Sequence, residues 1–261
     1  MEPSHIFQLP SGVEAEVREF TGKHQRILTQ QGKSKKMADL LNEVLVDVIV
    51  RIGDEKQIDD KFLKNMLSAD RSKILVEIRQ YTLGNPETFD FTYEYLSEGG
   101  KKNLELEVAC NFPTTTYKVV GADGKLVDAE FRNYDEIEKE YEVTLPKSGE
   151  VVKLYLLDGE KELAASKIKK SDRSSHTPII MRNPRKFRKT DSGETPMLLD
   201  LDRTSIPDIE FLRKTIKERE GRVDTEIMFE HPEAETKGPN EKEVVVDVLT
   251  EKAFFFPSEA I

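Results

Sequence analysis

A single cysteine, Cys110, stands in a chain of 261 residues. No intrachain disulfide framework exists, and a reducing compartment is allowed. Long apolar runs are missing as well. No stretch approaches membrane-spanning length and no N-terminal segment has signal-peptide form, so the expectation is a cytoplasmic protein without a membrane partner. A positive surplus is also lacking. The formal net charge is −10, which argues against a general nucleic-acid binder, because neutralising phosphates needs a basic excess. With 37% of residues hydrophobic and 34% charged, the cores are small relative to the solvated surface.

Catalytic signatures are equally scarce. The chain has no Gly-x-x-x-x-Gly-Lys-Ser/Thr phosphate loop, no strand-linked Gly-x-Gly-x-x-Gly and no Gly-x-Ser-x-Gly elbow. His5, His24, His176 and His231 are widely scattered, and none lies near Cys110 in sequence. A histidine-based metal site therefore has no spacing signal, and Cys110 reads as a semi-buried structural thiol. A Cys110-dependent enzyme is the remote alternative. The run Asp135-Glu136-Ile137-Glu138-Lys139-Glu140 lacks the order of a calcium loop and reads as a solvated linker. These absences predict a protein that is not an enzyme and needs no cofactor or metal.

What is present is an internal repeat. Leu9-Pro10-Ser11-Gly12 opens an alternating strand over 13–20, and Leu145-Pro146-Lys147-Ser148-Gly149 opens another over 150–157. Pro10 and Pro146 are 136 residues apart. After one inserted residue the pairs Gly12/Gly149, Ala15/Val152, Val17/Leu154, Phe20/Leu157 and Gly22/Gly159 are 137 apart. Phe89, Phe91, Tyr93 and Tyr95 likewise correspond to Thr225, Ile227, Phe229 and His231. Repeats decide architecture before motifs do. The expected fold class is α+β, with two pseudo-repeated halves over 1–130 and 137–261, each a strand, short helices and a β-hairpin.

In chain order, the pattern predicts helices over 22–31, 37–52, 60–67 and 70–82. The second of these rests on Met37, Leu40, Leu41, Val44, Leu45, Val48, Ile49 and Ile52 at helical spacing. A hairpin over 88–109 turns near Ser97-Glu98-Gly99-Gly100, and a smaller one turns at Asp123-Gly124. An acidic connection over 128–140 joins the halves. In the second half, residues 167–197 are rich in Lys, Arg, Ser, Thr and Pro and predict an irregular, extended basic arm with a short apolar anchor at Ile179-Ile180-Met181. A helix through Ile209, Leu212 and Ile216 and a hairpin over 223–257, turning near Lys237-Gly238-Pro239-Asn240, complete the chain.

Candidate interaction residues fall in three places. Phe89, Phe91 and Tyr93 form one strand face, which suits packing on the protein's own helices better than base stacking. Arg185, Lys186 and Arg188 belong to a basic run that reads as a solvated loop, with an acidic protein face ahead of DNA as its partner. Phe254-Phe255-Phe256 cannot all face one core if they form a strand, since successive side chains alternate. At least one ring is then expected on the outer side or in a partner contact.

The order Leu-Pro-Ser-Gly, strand, Thr-Gly, helices, hairpin and a second Leu-Pro-x-Ser-Gly strand resembles the baseplate hub assembly chaperones of contractile-tailed phages. The segments Val223–Glu230, Val244–Val248 and Phe254-Phe255-Phe256-Pro257 are similar to that family's closing signature. The resemblance spans nearly the whole chain except 167–197. It implies a non-enzymatic protein that binds baseplate hub or tail proteins in the host cytoplasm during virion assembly. A structural adaptor retained in the tail is the alternative. Family members commonly carry Cys-x-x-Cys pairs in the hairpins. Residues 93–100 and 230–235 offer no such thiolates here, so aromatic cross-strand pairs must hold the first hairpin instead.

Overall fold

The computed structural model describes residues 3–29, 37–166, 176–190, 193–234, 242–250 and 252–255. The chain is α+β, and its two halves follow similar though not identical orders of elements. Strands β1 (His5–Gln8) and β2 (Glu14–Val17) form a hairpin around Leu9-Pro10-Ser11-Gly12, in register His5↔Val17 to Gln8↔Glu14. The Leu9 N–H donates to Val13 O at 2.9 Å, and the Gly12 N–H donates to Leu9 O at 2.8 Å. Helices α1 (Gly22–Leu28) and α2 (Met37–Val48) follow, and β3 (Ile49–Ile52) returns antiparallel to β2.

The expected helix over 37–52 is thus cut at Val48. Val44, Val46, Val48, Ile49, Val50 and Ile52 are β-branched, stiff at χ1 and suited to a strand. Ile49 and Ile52 are buried in the strand, as a helix stripe also requires, so their spacing suits both forms. The open edge of β2 decides the outcome by offering hydrogen bonds.

Helix α3 (Asp60–Asn65) is capped by Asp59, which accepts the Phe62 N–H at 2.7 Å. Helix α4 (Ser68–Leu83) ends at Gly84 in the left-handed conformation. Neither Ser68 nor Asp70 caps it. The Leu67 N–H donates to the Tyr134 hydroxyl and the Ala69 N–H to the Tyr117 hydroxyl, so distant tyrosines satisfy its first turn. The hairpin β4 (Thr88–Ser97) and β5 (Gly100–Ala109) has the expected limits, pairing Ser97 with Gly100. Short strand β6 (Thr114–Thr115) precedes the small hairpin of β7 (Lys118–Val120) and β8 (Leu126–Asp128). The connection after it carries buried Ala129, Tyr134 and Ile137, so it is packed rather than a solvated linker.

The second half repeats the plan. Strands β9 (Glu140–Thr144) and β10 (Val151–Tyr155) flank the turn at 145–149, and helices α5 (Gly159–Ser166) and α6 (Thr177–Ile180) follow. Residues 185–198 then correct the irregular arm: they form β11 (Arg185–Thr190) and β12 (Gly193–Leu198), giving a sheet of order β12-β11-β10-β9. Strand β11 returns to β10 as β3 returns to β2. Few apolar residues mark this hairpin because Leu198 and Met197 are exposed and Phe187 borders on exposed. Pro196 is tolerated because β12 is the outer strand. The remainder of the expected arm, 167–175, lies outside the described residues. Helix α7 (Ile206–Arg219) is capped by Ser205, β13 (Arg222–Val223) pairs with β6 of the first half, and β14 (Glu226–Glu230) pairs with β15 (Glu243–Asp247). The turn expected at 237–240 lies outside the described residues.

The halves share one core. It joins Leu45, Ile74 and Phe89 of the first to Val152, Leu212 and Phe254 of the second. Further ties cross the junction: the Ser68 N–H donates to Leu157 O at 2.9 Å, the Gly159 N–H to Met66 O at 3.0 Å, and Arg71 Nε lies 3.2 Å from Glu162 Oε2.

Gly12 and Gly149 hold corresponding left-handed positions, with φ of +87° and +70°. A Cβ on Gly12 would lie 2.7 Å from Ala129 O, whereas one on Gly149 would meet nothing. Gly149→Ala should therefore cost the left-handed penalty alone, about 1–2 kcal/mol. Gly12→Ala should lose more than about 3 kcal/mol, because backbone must also move. Urea unfolding of the two variants checks the difference, and equal losses would contradict it.

Candidate interaction surfaces

The two long hairpins meet face to face. Phe89 and Phe91 are buried, at 5% and 3% exposure, while Tyr93 is partly buried. The Tyr93 ring lies 5.1 Å from that of Phe229 in an edge contact, and Tyr95 lies 5.4 Å from His231. Each partner occupies the corresponding place in the other half. Like positions touching like positions is what a twofold-related contact produces. Aromatic pairs of this kind contribute about 0.5–1.5 kcal/mol each beyond area burial. The aromatic face is therefore consumed within the chain, and Phe89, Phe91 and Tyr93 do not form an open partner surface.

The outward faces are different. Met228 and Val245 are register partners and remain 66% and 52% exposed. Glu226, Glu230 and Glu243 surround them on the same face. Leu96, near the tip of β4, is 73% exposed. The outer side of β4–β5 carries Asp90, Glu94, Glu105 and Glu107. Met228 is not among the residues expected from sequence to meet a partner. The available signal was an apolar residue at an outward position of the alternation, between Glu226 and Glu230.

Phe254 and Phe255 require a correction. They lie on helix α8 (Lys252–Phe255), not on a strand, and are 0% and 2% exposed. A helical turn lets adjacent rings share one interior, which strict alternation forbids. Phe254 packs edge-on against Phe89 and Phe112, both at 5.6 Å, and Phe255 against Phe20 at 5.7 Å. The Arg79 guanidinium carbon lies 4.9 Å from the Phe89 ring and 4.8 Å from the Phe254 ring. Its Nε donates to Phe254 O and its Nη1 to Cys110 Sγ, the latter at 3.1 Å. Burial pulls Arg79 below its ordinary value, against the opposing pull of Cys110. Cys110 is 2% exposed and serves this packing. Phe256 lies outside the described residues.

The basic run is part of a sheet rather than a loop. Arg185 sits over the Tyr155 ring at 5.6 Å and Lys186 pairs with Glu150 at 2.9 Å. Arg188 is in β11, with its side chain outside the described residues. Among the described residues, no group of three or more His, Cys, Asp and Glu could hold a metal ion. Nor is any helix among them long and apolar enough to cross a membrane.

Each half ties its Leu-Pro turn to its long helix through an aspartate. The Ser11 N–H donates to Asp70 Oδ1 at 3.0 Å, and the Lys147 N–H donates to Asp208 Oδ1 at 2.8 Å. Their titrations differ. Burial pushes Asp70 up to about 7, against hydrogen bonds from Ser11. Burial would also raise Asp208, but hydrogen bonds from Lys147, Ser205 and Ser148 outweigh it and hold its carboxyl below the usual range. Beside the junction, the Arg182 guanidinium pairs with Glu220 at 2.7 Å, with side chains 11% and 7% exposed.

The chain matches no protein-family model, no curated protein and no solved structure. Phe254→Ala should lose about 3–5 kcal/mol, as for a large ring in a closed core; a loss under about 1 kcal/mol in urea unfolding would mean the ring faces solvent. Asp70 holds its proton more tightly folded, at about 7, than unfolded, near 3.8. Its destabilising effect is thus absent below about pH 4, grows as pH rises through that window, and is complete above about pH 7. Asp70→Asn should remove this dependence, so that its stability relative to wild type rises by up to about 4 kcal/mol from pH 4 to pH 8. Thermal unfolding of both proteins across that range checks this, and a flat difference would refute it.

Proposed function

We propose that this chain is a non-enzymatic assembly chaperone of a contractile phage tail, holding a baseplate hub or tail subunit in the host cytoplasm during virion assembly. The sequence resemblance to that family supports the reading. The observation that carries a binding role is the outward hairpin face, where Met228 and Val245 stay exposed within a frame of carboxylates. Apolar groups at the centre of a polar rim are the pattern of a protein contact. Among the described residues, β4–β5 and β14–β15 are each two-stranded, so their outer strands keep unpaired peptide groups. A client strand can extend such an edge while its apolar side chains meet Met228 and Val245. The carboxylates would favour a client with a basic border.

Retention in the tail as a structural adaptor is the second reading, and it uses the same face. Co-expression with hub and tail subunits, followed by affinity capture, tests both. Met228→Lys combined with Val245→Lys should reduce capture at least about tenfold with unchanged thermal stability, since both residues are exposed. Undiminished capture would remove the hairpin face from the proposal. Mass spectrometry of purified tails separates the readings: absence supports a chaperone, stoichiometric presence an adaptor.

A further inference from the structure

A cleft of about 520 Å³ lies between the halves, in the size range of a site for a small ligand or a short peptide segment. Its floor is apolar, with Tyr117 from the first half and Leu157, Ile216 and Val223 from the second. Its walls are cationic. Arg182, Arg213, Lys217 and Arg222 line it together with one carboxylate, Glu220, which Arg182 already pairs. In a chain of net charge −10, such a gathering runs against the overall balance. Arg213 and Lys217 are four residues apart on α7 and so share a face. Lys217 forms no ion pair among the described residues, and Arg222 is an exposed side chain paired with Asp224 at 3.2 Å.

The chemistry separates carboxylate from phosphate ligands. A phosphate site commonly uses free N–H groups at a helix start. The start of α4 borders this cleft, but its Leu67, Ser68 and Ala69 N–H groups are already taken by Tyr134, Leu157 and Tyr117. Arg213 and Arg222 instead hold side-chain carboxylates of this chain, Glu210 and Asp224. An apolar floor with cations above it suits an apolar side chain flanked by acidic ones.

We propose that this cleft binds an acidic peptide segment of a partner protein, seating an apolar side chain over Ile216 and Val223 and carboxylates on Lys217 and Arg222. The inference rests on the reading of the chain as a protein-binding factor and adds a second, oppositely charged contact to it. The test is fluorescence anisotropy with a short fluorescein-labelled peptide of alternating glutamate and leucine, its glutamine counterpart, and inorganic phosphate as competitor. The glutamate peptide should bind, and Lys217→Glu with Arg222→Glu should weaken it at least about tenfold with circular dichroism and thermal stability unchanged. No binding, equal binding of the glutamine peptide, or an unaffected double variant would overturn the proposal. So would displacement by phosphate at lower concentration than by unlabelled peptide, which assigns the cleft to a small phosphorylated ligand. The Met228→Lys, Val245→Lys protein should bind the peptide normally. If that variant and wild type both fail to capture tail subunits yet bind the peptide, the proposed function fails and the cleft stands.

Discussion

The fold depends on an aspartate oxygen placed in the first turn of each long helix. Asp70 and Asp208 accept a backbone N–H from the Leu-Pro turn of their own half, and that bond fixes where the first hairpin lies against the helix. Ser11 is buried, and a buried N–H left unpaired costs about 1–3 kcal/mol, so the first turn cannot drift from its helix cheaply. The consequence at the two sites is unequal. Asp208 also accepts from Ser205 and Ser148, whereas at Asp70 burial outweighs the hydrogen bonds and pushes it towards neutrality. The two sites share one plan and differ in their electrostatics.

The junction between the halves explains why they form one body. The start of α4 has no cap of its own; tyrosines from the 113–134 region and a carbonyl from the second half satisfy its N–H groups. Strand β6 finds its only ladder partner among the described residues in β13. Phe254 and Phe255 close the core against Phe20, Phe89 and Phe112. Separating the halves would expose these polar groups and rings together. Both losses act on the same interface, which favours a single cooperative unit over two tethered domains.

Legibility in the sequence followed how local each cause was. The hairpin over 88–109 was plain because Phe89, Phe91, Tyr93 and Tyr95 alternate opposite Leu104, Leu106 and Val108, with glycines at the turn. The duplication was plain because both Leu-Pro turns need a left-handed glycine at the same place. Strand β3 was hidden because its apolar positions serve a helix stripe equally well. The hairpin of β11 and β12 was hidden because most of its surface is solvated, and charge with proline reads as loop. Phe254 and Phe255 were misplaced because nothing local says that a short terminal helix, with Arg79 beneath it, will bury both. The cleft, assembled from five separate segments, has no local trace at all.

Duplication also accounts for the distribution of adhesive surface. In a repeated chain each half begins with the same exposed faces, and those that meet their twin are spent. Tyr93 on Phe229 and Tyr95 on His231 are such spent faces. What cannot be spent this way is the opposite side of each hairpin, because a two-stranded ribbon has a second face pointing away from the contact. On the second hairpin that face kept Met228 and Val245, ringed by glutamates that discourage uncontrolled pairing along the strand edges. The charge of the protein then divides accordingly. Acidic groups guard the outward ribbons, while cations collect in the cleft where the halves join. A partner that engages both must carry basic and acidic stretches in an order set by this geometry, and that is a stricter demand than apolar adhesion alone.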